Sequence, residues 1–352
     1  MVGKIAAFLA LARKVIGGKM TIPVLEQICF LDGWMMVTDL ENTLVMKSDI
    51  EESFTISHKL LAKIMKQKPQ DIKVNVEESK VHLNYDEKEL TFISFEVADF
   101  PDLPDACEQE IDVWDRNWIA KLHGQRVFVS HDEIKPALCG VYVKSNGSLE
   151  SCATDGHMLR VVKVEQSADK TYEMILPAKS LDILLNGSRK DVRVFESKTH
   201  YRFALSHNLD LYVRKLDLKY PDYNNVIPEK CPESIQFGMK DFLQLIKASK
   251  PFVNRQSKLI EIAVEDLNLS ATVVDVDEGI SWQGHIAVHD NIGGECSFGF
   301  QIDYLEKLIT AIDTDQLTWA HNGSASASLF SGDEDQINLL MPVRLERNEY
   351  EE

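Results

Sequence analysis

Two landmarks of this chain recur at a single spacing, and that spacing limits the folds open to it. Ile56 to Leu61 (ISHKLL) and Leu176 to Leu181 (LPAKSL) lie 120 positions apart, and Phe100-Pro101-Asp102 precedes Tyr220-Pro221-Asp222 by the same 120. A third, fainter copy places Phe300 to Leu305 (FQIDYL) 124 positions after Leu176. Self-similarity at a fixed period means that one structural unit has been repeated. Three such units fill the 352 residues, and each is long enough to hold its own core. The expected domains are 1–107, 108–229 and 230–345, followed by a short acidic tail, 346–352.

Local patterns give each unit two helices and roughly eight strands. Ile5, Phe8, Leu9 and Ala12 have the spacing of one helix face, so a helix is expected from Lys4 to Ile16, stopped by Gly17 and Gly18. That apolar run is too short and too periodic for a secretory signal. Strands are expected at Val24 to Leu31, Trp34 to Asp39 and Thr43 to Ile50, with Asp32-Gly33 as a hairpin turn. A second helix, Ser57 to Lys66, opens on a Ser cap. Alternating strands at Ile72 to Val76, Val81 to Tyr85 and Leu90 to Val97 complete the unit. The second unit repeats this order, with helices around Trp118 to Leu122 and from Leu176. The third places its helices at Phe242 to Lys247 and Phe300 to Leu305. The class is therefore α+β, helices packed on antiparallel sheets, and three similar units suggest an arc or a ring.

A net charge of −18 argues at first against a nucleic-acid partner, because phosphate binding needs Lys and Arg to displace counterions. The distribution of charge reverses that argument. The six helical segments together carry +15, which leaves −33 for everything else. Helices gathered on one side would form a positive lining inside a negative shell. Such a lining holds phosphates without reading bases and permits sliding along DNA. The six cysteines (Cys29, Cys107, Cys139, Cys152, Cys231 and Cys296) include no CxxC pair, so neither a zinc site nor a disulfide framework is indicated. A reducing cytoplasm fits that usage. No apolar run reaches the length of a membrane span, and no cofactor is expected.

Near the middle of the chain, Ala153 to Arg160 reads ATDGHMLR, and Asp155 beside His157 invites an acid/base reading. Catalysis would need a nucleophile or metal held by further groups, and no other His or Cys cluster stands at ligand spacing nearby. With strand-like residues on both sides, Gly156 instead marks a tight turn that presents a binding surface, in a protein that is not an enzyme.

TDGHMLR at 154–160 resembles the TDGHRL signature of the bacterial sliding clamp, the beta subunit of DNA polymerase III. FPDLPD at 100–105, YPDYNNVIP at 220–228, TIPVL at 21–25, TDLE at 38–41 and LLMPVRL at 339–345 are similar to that family's other landmarks, in the same order. The resemblance implies a ring of two head-to-tail subunits, each with three similar clamp domains and with helices lining the hole. Such a homodimer encircles duplex DNA regardless of sequence and tethers the replicative DNA polymerase. The polymerase and the clamp loader would each dock a short hydrophobic peptide motif between the second and third domains. Carried over by position, that pocket takes in Leu138, Thr154, Gly156, His157, Met158 and Leu159, with Pro221 and Val226 beside them. Its far wall would be Tyr304 with Leu339, Leu340, Met341, Pro342, Val343, Arg344 and Leu345. Lys19, Lys63, Lys66, Arg126, Lys135, Lys247 and Arg255 are expected as diffuse phosphate contacts. Leu90 and Phe92 of one subunit would meet Pro251 and Phe252 of the other. The alternative is a clamp-like partner-binding protein that keeps the fold but does not close around DNA.

The chain departs from the family pattern in three places. Met158 and Asn224-Asn225 stand where the family commonly has Arg, which takes charge from the rim of the pocket. Residues 346–352 run past the usual end. Only Met1 to Gly3 precede Lys4, where family members begin with a strand, so the first domain is expected to be a strand short.

Overall fold

The landmark that recurs at Ile56, Leu176 and Phe300 marks the same event in three dimensions, a strand ending where a helix begins. In a computed structural model of the chain, residues 1–18, 20–165, 170–206, 208–332 and 335–345 are described. The first stretch runs α1 (Val2–Ile16), β1 (Gln27–Leu31), β2 (Trp34–Thr38), β3 (Asn42–Lys47), β4 (Phe54–Ser57), α2 (His58–Met65), β5 (Ile72–Glu77), β6 (Lys80–Tyr85) and β7 (Lys88–Ile93). The second runs β8 (Gln109–Trp114), α3 (Arg116–Gln125), β9 (Gly140–Ser145), β10 (Leu149–Thr154), β11 (Met158–Val164), β12 (Tyr172–Pro177), α4 (Ala178–Gly187), β13 (Val192–Glu196), β14 (His200–Ser206) and β15 (Leu209–Arg214). The third runs β16 (Glu233–Gly238), α5 (Met239–Ser249), β17 (Leu259–Glu265), β18 (Asn268–Asp275), β19 (Ile280–Ile292), β20 (Cys296–Gln301), α6 (Ile302–Thr310), β21 (Gln316–His321), β22 (Ser328–Ser331) and β23 (Gln336–Leu340). The three landmarks are thus the β4–α2, β12–α4 and β20–α6 junctions.

Local chemistry explains most boundaries. Asp32 and Gly33 both take positive φ (48° and 77°), the pair of left-handed residues that a two-residue hairpin requires, and Leu31 faces Trp34 across it. Gly17, at φ 63°, ends α1 with its N–H on the Arg13 carbonyl. Three expectations need correction. Ser57 occupies the cap position of α2, but its hydroxyl makes no capping hydrogen bond. Phe300 and Gln301 close β20 rather than opening α6, because strand pairing with Leu259 and Ile260 claims their backbone. Pro23–Glu26 forms a short 3-10 turn, since Pro23 fixes φ there, and β1 starts only at Gln27.

Contacts group the chain into two compact units. The first holds Met1–His123, Ser145–Gly147 and Ala168–Asp217, and the second holds Gly124–Lys144, Ser148–Ser167 and Leu218–Glu352. In the first unit an antiparallel sheet runs β4-β1-β2-β3-β15-β14-β13-β8, and a separate sheet runs β5-β6-β7. α1 buries Phe8, Ala12 and Val15 completely, while Phe30 stacks on Phe54 and Trp114 lies against Phe203. In the second unit the order is β9-β10-β11-β23-β22-β21-β16-β19-β18-β17-β20. Phe298, Phe300, Trp319 and Phe330 form its aromatic core, with Trp319 stacked on Phe330 at 5.8 Å.

The repeats differ in one respect. β8 completes a four-stranded row with β13, β14 and β15, and β16 does so with β21, β22 and β23. The corresponding sheet of the first repeat has three strands among the described residues, β5, β6 and β7. α3 and α5 are each preceded by a strand, whereas α1 begins at Val2.

His321 on β21 is 2% exposed, and its Nδ1 lies 3.1 Å from the Glu233 carboxylate on β16. Burial pulls its pKa down, with Glu233 opposing that shift. A histidine whose pKa falls on folding binds protons better when unfolded, so its contribution to stability is complete above about 6.5 and is lost as pH falls below it. Acidification from about pH 7.5 to about pH 5 is therefore expected to lower the melting temperature of the wild type more than that of His321→Gln. Equal losses in a thermal melt series would show that His321 does not set this slope.

Candidate functional site

The stretch from Thr154 to Leu159 is shaped first by its own turn. β10 ends at Thr154 and β11 starts at Met158, so three residues must reverse the chain. Gly156 supplies a φ of +93°, which side chains with a Cβ rarely adopt. The Asp155 carboxylate accepts hydrogen bonds from the backbone N–H groups of His157 and Met158, both at 2.9 Å. Thr154 Oγ1 donates to the Met158 carbonyl at 2.7 Å and accepts from the Gly156 N–H at 3.1 Å. Asp155 is thereby committed to the turn, an Asx-type closure, and it is not poised to serve His157 as a catalytic partner.

The second wall arrives through β23. Met158 pairs with Leu340 and Leu159 with Leu339, and beyond the strand the Met341 N–H donates to the His157 carbonyl at 2.9 Å. The chain then crosses β20, where the Val343 N–H reaches the Gly299 carbonyl at 2.8 Å. A Cβ at Gly299 would stand 2.6 Å from the Val343 carbonyl oxygen, so glycine is required for this close approach. α6 follows β20 and carries Tyr304, whose ring stacks on His157 with centroids 4.9 Å apart and planes 19° from parallel. Burial and the nearby Asp155 carboxylate raise the pKa of the Tyr304 phenol.

The structure thus brings His157, Met158, Leu159, Tyr304, Leu339, Leu340 and Met341 together. It distributes them differently from a simple two-walled slot. Met158, Leu159, Leu339 and Leu340 are buried, and Met158, only 1% exposed, lies beneath the surface instead of forming an apolar rim. β11 and β23 are flanked by strands on both sides, and these side chains fill the layer under the surface. Gly156, His157, Met341, Val343 and Arg344 are the exposed groups, with Pro342 and Leu345 half-buried. Val343, Arg344 and Leu345 also border a cavity of about 290 Å³ with Ser297, Gly299, Ser324 and Ala325. Sequence reasoning did not single out that cavity, and nothing in those small residues announces it.

Leu138, Pro221 and Val226 lie in the same unit, each held by its own local structure. Leu138 is buried in a short 3-10 turn, and its carbonyl accepts from the Ser130 N–H. The YPDY segment inserts Tyr220 and Tyr223 against Tyr142 and leaves Pro221, Asn224, Asn225 and Val226 exposed. Tyr223 donates to Glu150, which Lys144 and Lys163 also hold, at 2.9 and 3.1 Å.

Of the basic positions, Lys63 and Lys66 sit exposed at the end of α2, Lys247 in the last turn of α5, and Lys135 and Arg255 in exposed loops. Arg126, just past α3, is half-buried, and Lys19 lies outside the described residues, as does the tail 346–352. The first unit adds a cleft of about 920 Å³, floored by Ala7, Ala10, Leu11 and Leu209 and rimmed by Lys14, Arg189, Lys190 and Arg193. Only Asp191 among its lining residues is acidic. The run Ser188 to Arg193 (SRKDVR) was the available signal for this patch. Leu90 and Phe92 are half-buried on β7, Phe92 against Phe54, while Pro251 and Phe252 are exposed and Phe252 stacks on Trp282.

Repeated helix pairs on antiparallel sheets, joined through this ladder, define a clamp-type fold. Residues 116–222 match the model of the central domain of the DNA polymerase III beta subunit. The beta sliding clamp of Synechococcus elongatus is 26% identical over 308 residues, covering 83% of this chain and 82% of that protein. The Pseudomonas aeruginosa beta sliding clamp is 24% identical over 359 residues, covering 96% of each. Among solved structures, the DNA polymerase III beta chain of Streptococcus pneumoniae superposes with a TM-score of 0.88 at 19% identity, covering 97% of each chain. A P. aeruginosa sliding clamp bound to griselimycin gives a TM-score of 0.83 at 22% identity, covering 96% of each. Residues 116–222 thus carry the central domain of the DNA polymerase III beta subunit, and over most of its length the chain is similar to bacterial beta sliding clamps and shares their fold.

Because Asp155 closes the turn with two backbone hydrogen bonds, Asp155→Ala is expected to destabilise the protein by about 1–2 kcal/mol, read from the urea midpoint. An unchanged midpoint would mean that Thr154 alone holds the turn.

Proposed function

We propose that this protein is a DNA sliding clamp, a homodimeric ring that encircles duplex DNA and tethers a DNA polymerase. Each subunit contributes three domains, 1–107, 108–229 and 230–345. The observation that carries this reading is the pattern of used and unused sheet edges. β3 is joined to β15 and β11 to β23, so twice the third strand of one repeat meets the last strand of the next. Among the described residues two edges of this kind are left over. One is β7, the last strand of the first repeat. The other is the Ile280 to Ala287 part of β19, the third strand of the third repeat, whose opposite side is taken by β18. A second copy supplies the missing partner for both, head to tail, and two such joints leave no edge of this kind unpaired. Leu90 and Phe92 lie on one of these edges, and Phe252 lies beside the other.

Lys63, Lys66, Arg126, Lys135, Lys247 and Arg255, with the cleft rimmed by Lys14, Arg189, Lys190 and Arg193, supply diffuse phosphate contacts that carry no sequence preference. Polymerase and clamp loader dock a short hydrophobic peptide at the surface of His157, Tyr304, Met341 and Val343. Binding there opens the layer that holds Met158, Leu159, Leu339 and Leu340, and the methionines adapt to different anchors. Among the described residues no helix is long and apolar enough to cross a membrane. The proposed compartment is the cytoplasm, where the six free thiols stay reduced.

Loaded by its clamp loader, the protein is expected to be retained on nicked circular DNA and lost when that DNA is linearised, and to sediment as a dimer. A monomer that never becomes trapped would instead favour a clamp-like partner-binding protein. At the docking surface, Met341→Ala is expected to weaken griselimycin about tenfold in a calorimetric titration while leaving the dimer intact. Unchanged affinity would place the docking surface elsewhere.

A further inference from the structure

Arg160 is a charged residue at an interior position of β11, 7% exposed, on the same strand face as Met158 two residues away. Burying a guanidinium is costly unless its donors are satisfied, so its partners indicate its purpose. One Nη donates to the carbonyl of Ala311 at 2.8 Å, and the other to the side-chain oxygen of Gln336 on β23. The guanidinium also lies over the Phe128 ring, 5.5 Å from its centroid. Ala311 caps the C-terminal end of α6, where carbonyls lack helical partners and the helix dipole is negative. A cation there is favoured twice over.

These bonds connect the ladder that carries His157 and Met341 to the helix that carries Tyr304. α6 has nine residues, so its end is only about two turns from Tyr304. A shift of the helix at Ala311 is therefore transmitted to the ring stacked on His157. We propose that Arg160 is a positioning residue: it locks α6 to the β11–β23 ladder and so sets the spacing of Tyr304 from His157 at the mouth of the docking surface. This rests on the reading of that surface as a peptide slot. Arg160 need not touch the peptide; it sets the width that the peptide meets.

The test uses the full chain with Arg160→Met, Arg160→Lys and Gln336→Leu, and Tyr304→Ala as a reference. The first readout needs no ligand: the NMR shift of the His157 imidazole C–H, which the Tyr304 ring current displaces while the two are stacked. Arg160→Met is expected to move this shift toward its Tyr304→Ala value, Arg160→Lys to stay near wild type, and Gln336→Leu to fall between. In griselimycin titrations Arg160→Met should bind about tenfold more weakly, with Arg160→Lys restoring most of the loss. An unmoved His157 resonance in folded Arg160→Met overturns the positioning role. Should that variant fail to fold, Gln336→Leu decides in the same way, a shift supporting the role and an unmoved resonance overturning it. If the resonance moves as expected but the wild type does not bind griselimycin, the positioning role stands and the slot reading fails.

Discussion

The ladder between β11 and β23 is the contact on which the second unit depends. It pairs residues 158–162 with residues 336–340, so the segments it joins are separated by about half the chain. Loop-closure entropy grows only slowly with length, and a ladder whose residues 158–162 and 338–340 are all buried can meet that cost. The same antiparallel joint recurs between β3 and β15, where Asn42 to Met46 face Leu209 to Val213. One solution, used once in each unit, joins strands of neighbouring repeats into a single sheet there. Its register is strongly specified, because a slip of one residue would send Met158 and Arg160 to the wrong face.

Much of this architecture was legible in the sequence, and the reasons are local. Gly17, Asp32-Gly33 and Gly156 sit where the backbone needs positive φ, so each could be placed from its residue type alone. The 120-residue offset located the strand-to-helix junctions, because a repeat keeps its own punctuation. Charge segregation was equally visible, since it needs only counting. The α6 start was misplaced by two residues, because Phe300 and Gln301 suit either a strand end or a helix start until pairing with β17 decides.

The direction of side chains was not legible. Residues 158–162 are all buried, so β11 lacks the alternation that separates a covered face from an open one, and Met158 could be assigned to a strand but not to a face. Arg160 illustrates the same limit more sharply. An arginine in a strand reads as solvent-exposed, and only the tertiary arrangement reveals the helix end and the glutamine that receive it. The His157–Tyr304 stack likewise depends on residues almost 150 positions apart that no local pattern connects.

The three-stranded sheet of the first repeat has a bearing on cooperativity. Its counterparts each carry one more ladder of backbone hydrogen bonds, so β5, β6 and β7 open with fewer bonds broken and less apolar surface exposed. That sheet is expected to open at a lower free-energy cost than its four-stranded counterparts. β7, its outer strand, is also an edge through which a second copy would pair. In the proposed dimer, the joint between subunits would therefore be built on a sheet with fewer ladders than those that carry the internal joints.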